Sequence, residues 1–186
     1  TEDNEWIMND LTGETRPPLA AIHRAALSGN HRILEAILSR CKDKGAVAAK
    51  KDNYENLPLD WLVMGTWNML RILRTFGDDP AKPTLSQARS HVKSYRLLLD
   101  AVQDNASAKN ATLEVVQSNW ISSVLRLERP TNSVTATILQ ILIRHGRPGN
   151  LTETLIKVCQ DEDDAFLSYN RGLIAVVRTL VYWGAD

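Results

Sequence analysis

The sequence predicts an all-α chain: antiparallel helix pairs stacked side by side and joined by short hairpins and loops. Three segments end alike, RILRTFGDD from Arg71, QILIRHGRP from Gln140 and RTLVYWGAD from Arg178. In each, a leucine stands four residues before a glycine: Leu73 before Gly77, Leu142 before Gly146 and Leu180 before Gly184. A helix whose last apolar residue lies one turn ahead of a glycine is closed by that glycine in the left-handed conformation. A second, shorter apolar segment comes before each of these helices and before a fourth, RILEAILSRCK from Arg32, with the form apolar, two intervening residues, small. The instances are Ile22 with Ala25 and Ala26, Leu59 with Leu62 and Val63, Leu113 with Val116, and Leu155 with Val158 and Cys159. Composition agrees, since 44% hydrophobic and 24% charged residues over 186 positions is the profile of a soluble globular chain.

Taken in order, the N-terminal segment with Trp6, Ile7 and Met8 is expected to cap the first unit. That unit spans 10–50 and ends in RILEAILSRCK, with Leu38 in the leucine slot and Lys42 where the glycine would stand. The glycine slots at 42, 77, 146 and 184 are 35, 69 and 38 residues apart, so a second unit at 51–79 is followed by a gap wide enough for two. The stretch 80–109 holds Tyr95, Leu98, Leu99 and Val102 at helical spacing and reads as a shrunken, irregular repeat or an inserted helix pair. Units at 110–148 and 149–186 complete the chain. In an array whose stability is a sum of units and neighbour interfaces, the irregular stretch is the expected weak link, with the fastest amide exchange away from the termini.

At AAIHRAALSGNHRILEAIL the sequence resembles the ankyrin repeat family, with Ile22, His23, Ala25, Ala26, Gly29, Ile33, Leu34, Ile37 and Leu38 in matching slots. KDNYENLPLDWLV supplies Asp52, Pro58 and Leu59 of the next unit, and RTLVYWGAD is similar to a family helix end. The pattern departs where Ala20-Ala21 replaces Thr-Pro, and where Asp60, Glu114 and Ile156 take the histidine slot. The resemblance implies a degenerate array of four to five repeats with a concave binding groove. It also implies that His23 is a structural fastener, hydrogen-bonding backbone and tying one unit to its neighbour. Gly29, Gly77, Gly146 and Gly184 are the expected structural glycines.

The catalytic search is empty. A zinc or catalytic role for His23 needs convergent partners, and His31 lies across the turn carrying Gly29. His91 and His145 stand alone, the latter suited to a helix C-terminus. The acidic run Asp161 to Asp164 lacks the alternate spacing and glycine of a calcium loop and is expected to be a solvated loop. No phosphate-cradling loop, Cys-x-x-Cys pair or nucleophile elbow occurs. The expectation is therefore no enzyme, no cofactor and no metal.

Lys plus Arg equals Asp plus Glu at 22 each, so no net field favours nucleic acid or a membrane surface. No apolar run reaches the roughly 18 residues of a membrane span, and no signal peptide opens the chain. The two cysteines, Cys41 and Cys159, sit in apolar helical patterns, which points to a reducing compartment, cytoplasmic or nuclear. The sequons at Asn105, Asn110 and Asn150 fall within chance expectation. Chain ends at Thr1 and Asp186 read as those of a piece cut from a longer protein, which is expected to be monomeric as a fragment.

The expected function is binding of another protein through the concave face of the array. The alternative is a regulatory or substrate-recruiting region of a larger enzyme, channel or effector. The expected partner-binding residues are Arg24 and Leu27 of the first short helix, Tyr54 at a hairpin tip, and Trp61 and Met64 of the second short helix. Trp61 stands off the stripe of Leu59, Leu62 and Val63, and is expected either to anchor the interface or to pack on the adjacent hairpin or on Trp67.

Overall fold

Ala25 and Ala26 are small enough to let two helix backbones approach closely, and with Ile22 they make the buried face of the first helix, α1 (Ala21–Leu27). The structure, a computed structural model, describes residues 7–8, 15–16, 19–75, 85–117, 133–146, 151–160 and 171–184. Gly77, the acidic run 161–164, Trp6 and Trp120 lie outside them. Ahead of α1, two-residue strands β1 (Ile7–Met8) and β2 (Thr15–Arg16) pair antiparallel. Apart from them the described elements are helical, and the chain is all-α.

The turn after α1 is built on Gly29 at φ 59, where the Gly29 N–H donates to the Ala26 carbonyl and the Asn30 N–H to the Ala25 carbonyl, both at 2.9 Å. This paired arrangement closes a helix through a left-handed residue. Asn30 then caps α2 (His31–Arg40), its side chain accepting from the Ile33 N–H at 3.2 Å. Leu34 and Leu38, one turn apart, are buried against α1. Lys42 is exposed in the link to a further short helix, α3 (Lys44–Ala48), which is capped by Asp43 and had no separate signature in the sequence.

Residues 58–75 form one continuous helix, α4 (Pro58–Thr75), and not the helix pair expected within 51–79. Pro58 opens it, because its missing N–H is no loss in a first turn. Asp60 reaches back to accept from the Leu57 N–H at 2.7 Å, which satisfies another of the donors left bare there. Gly65 sits where α4 crosses α1, and a Cβ placed on it would overlap the carbonyl oxygen of Leu27. No larger residue fits that approach.

The helix that pairs with α4 is α5 (Leu85–Ala101), from the stretch expected to be irregular. Tyr95, Leu98, Leu99 and Val102 are almost wholly buried, and α5 packs on α2, α3, α4 and α7. The expected weak link is therefore corrected: residues 85–101 lie in the middle of the core, and the boundary expected at 79–80 falls inside one helix pair. The remaining pairs are α6 (Ala106–Gln117) with α7 (Ser133–Gly146), and α8 (Leu151–Gln160) with α9 (Arg171–Tyr182).

Helices α2, α5, α7 and α9 touch in succession, and α1, α4 and α6 do the same beside them. In α7, Ile138, Leu139, Ile141, Leu142 and Ile143 are all buried, as befits a helix covered on most sides. At its end His145 sits in the last turn, where Gln103 Nε2 donates to Nδ1 at 2.9 Å and Asp100 lies 3.5 Å from Nε2. Burial holds that imidazole below its ordinary pKa against the pull of Asp100. Gly146 is the final residue of α7, whereas Gly184 follows α9 at φ 100, the left-handed closure expected there.

Candidate functional site

The loop between α3 and α4 is held from both sides by residues of the sequence reading, and it carries an exposed aromatic, Tyr54. His23 is fully buried, and its Nε2 lies 2.8 Å from the Lys50 carbonyl. A carbonyl can only accept, so Nε2 carries the proton and donates. Nδ1 has no hydrogen-bond partner among the described atoms. The geometry is that of a fastener across 27 positions, α1 to the base of the loop.

Two residues on, Asp52 organises the loop. Its Oδ1 accepts from the Tyr54 N–H at 2.8 Å and the Asn56 N–H at 2.9 Å, while Oδ2 accepts from the Trp61 indole Nε1–H at 2.8 Å. Burial pushes this carboxyl up, but the N–H donors of Asn56, Trp61 and Tyr54 and the nearby His23 outweigh it, so it lies below the ordinary carboxylate range. The loop is thus tied to α1 through His23 and to α4 through Trp61.

Trp61 does not face a groove. Only 5% of it is exposed, and it belongs to the core with Leu59 and Leu62. The anchor role expected for it is corrected for a physical reason: a ring this size gains most by burial when its single N–H finds a buried acceptor, and Asp52 supplies one. The other expected residues lie on or near the surface. Tyr54 is 52% and Met64 44% exposed, and Arg24 and Leu27 are half-buried. Met64 precedes Gly65, which touches the end of α1 at Leu27, so Met64 and Leu27 flank the same seam. Asp52 and Trp61, through their bond, fix the loop bearing Tyr54 relative to the helix bearing Met64.

At the loop tip Glu55 holds φ 64, a conformation costly to any residue with a Cβ, and its carboxylate pairs with Lys51 at 2.7 Å in full solvent. An exposed pair of this kind adds little. Glu55→Gly is therefore expected to raise stability by about 0.5–1 kcal/mol, the relief of left-handed strain less the added entropy of glycine. Urea unfolding measures it; a lower midpoint would show that the ion pair matters more than the backbone.

A polar cluster that the sequence reading missed lies at the seam of the first two pairs. Ser90 Oγ donates to the Gly29 carbonyl at 2.6 Å and accepts from the His31 N–H at 3.3 Å, with His31 Nδ1 at 2.7 Å. Since the single hydroxyl proton goes to Gly29, His31 Nδ1 must be the donor. The pair is a brace and not a serine activated by a base. Beside it Thr66 Oγ1 donates to the Leu62 carbonyl at 2.7 Å and so accepts from Tyr95 OH at 3.3 Å and from His91 Nδ1 at 3.0 Å. The signal was present: 91, 95, 98, 99 and 102 form one helical stripe, so His91 shares the core face of α5.

A cleft of about 1160 Å³ opens between α2–α3 and α5–α6, lined by Glu35, Asp43, Asp100 and Asp104 together with Lys42 and Lys44. Both signs of charge line it, with carboxylates in excess. Among the described residues no group of three His, Cys, Asp or Glu side chains could hold a metal ion, and no helix is long and apolar enough to cross a membrane. Comparison with protein-family models, curated proteins and solved structures gives no match.

Proposed function

We propose that the chain is an ankyrin-like protein-interaction module that holds a segment of a partner protein against α1, α4 and the loop between α3 and α4. The observation that carries this reading is the pair Tyr54 and Met64, 52% and 44% exposed on a loop and helix that Asp52 and Trp61 lock together. Large side chains left in water on a rigid support are what an interface uses, because little conformational freedom is lost on binding. Support for the ankyrin-like arrangement comes from the succession of helix pairs, from Gly29 at the turn of the first pair, and from His23 reaching the Lys50 carbonyl. The reading includes a location inside the cell and places no chemistry in the chain.

The test is a double variant, Tyr54→Ala with Met64→Ala, at positions whose truncation leaves the core intact. Stability is expected to change by less than about 1 kcal/mol, in keeping with exposed sites. Affinity capture from native lysate should then show at least one protein retained by the wild type and lost by the variant. Identical captured sets would remove this face from consideration.

A further inference from the structure

The turn between α1 and α2 is gripped by two consecutive residues of α5, of which one is an uncharged acceptor and donor and the other a base. Ser90 holds the Gly29 carbonyl, and the His91 ring lies directly on the Gly29 backbone. A Cβ built on Gly29 would overlap Cδ2, Nε2 and Cε1 of that ring, so it is the Nε2 edge that faces the turn. Nδ1 already carries the proton donated to Thr66, and the ring is only 5% exposed. A second proton has to enter at Nε2, on the edge pressed against the glycine backbone, which has no hydrogen-bond acceptor among the described residues.

We propose that His91 is an acid-sensitive latch, which in its neutral form clamps the first helix pair (α1, α2) to the second (α4, α5) and on protonation releases it. The ionisable groups near the ring do not offset the added charge. From α2 comes His31, itself held below its ordinary pKa by burial, Lys93 and Arg32 against Glu35. From α5 comes Tyr95, whose phenol burial pushes up, and from α4, among the described residues, the hydroxyl of Thr66. Burial alone lowers His91 from 6.5 to about 4.

The sign follows from linkage. The folded pKa lies below the ordinary one, so the clamp is at full strength above pH 6.5 and is lost as pH falls toward 4. Over that interval the opening constant of the released pair rises by up to tenfold per pH unit, about 80-fold in all.

Hydrogen exchange of the whole chain, corrected for the intrinsic pH dependence of amide rates, tests this together with an NMR titration of the histidine rings. The expected result is that protection over residues 21–40 falls by that factor between about pH 6.5 and pH 4, with a midpoint matching the His91 ring, while residues 133–146 keep theirs. His91→Gln, which retains a donor for Thr66 and cannot charge, should abolish the loss. Should that variant fail to fold, the wild-type titration decides alone. Titration of the ring without loss over 21–40, or equal loss in every helix, overturns the latch.

Discussion

Gly65→Ala is expected to destabilise the chain by about 3 kcal/mol or more, at the upper end of what overpacking costs. The two forces at this position have opposite signs, which makes the result decisive. In an isolated helix, alanine is better than glycine by about 1 kcal/mol, so propensity alone predicts a more stable protein. In the fold, the new methyl would overlap the Leu27 carbonyl oxygen, and that oxygen is backbone at the end of α1, unable to swing aside as a side chain would. Helix α4 must move away from α1, with loss of contact at Ile22, Ala25, Ala26, Leu59 and Leu62. Against the 5–15 kcal/mol typical of a domain, the melting temperature should fall by roughly 6–12 °C. An unchanged or raised melting temperature would mean that α1 and α4 do not meet at this glycine.

Trp61→Ala is expected to cost about 3–5 kcal/mol, the range for removing a buried tryptophan. Asp52 Oδ2 would lose its indole donor as well, leaving a half-buried carboxylate short of a partner. The milder Trp61→Phe keeps most of the apolar volume and should cost about 1–3 kcal/mol, chiefly through that lost bond. Chemical unfolding of the two variants separates the parts. Any loss of the proposed partner binding by Trp61→Ala is expected to follow the unfolded fraction, because the residue is buried and supports the loop. A folded Trp61→Ala variant of wild-type stability that fails to bind would return Trp61 to the interface.

The first helix pair was legible because its signals are local. Ile22, Ala25 and Ala26 mark one face of a helix, Gly29 its end, and Leu34 and Leu38 the face of the next, all within 17 residues. The second pair was not, for two reasons. Leu59, Leu62 and Val63 read as one short helix and RILRTF as the next, whereas the stretch between them stays helical and its Gly65 admits the backbone of α1. The face of α5 carries Ser90, His91 and Ser94 near its start, which reads as polar surface until the Gly29 carbonyl, Thr66 and the Ser90 carbonyl are known to satisfy them.

The exposure of Tyr54 and Met64 followed from their positions in loop and helix. The burial of Trp61 did not follow from position, since its partner Asp52 lies nine residues upstream across a turn. Periodicity describes one helix at a time and is silent on such pairs.

Asn30 is shared: its N–H completes the closure of α1 and its side chain opens α2. With no spare residue between the helices, one amino acid inserted or deleted at 28–30 would undo both terminations and rotate α2 by about 100° relative to α1. Length variation in this protein is therefore confined elsewhere, and the hinge between its first two helices behaves as a fixed gear tooth, able to accept substitution but not a change of count.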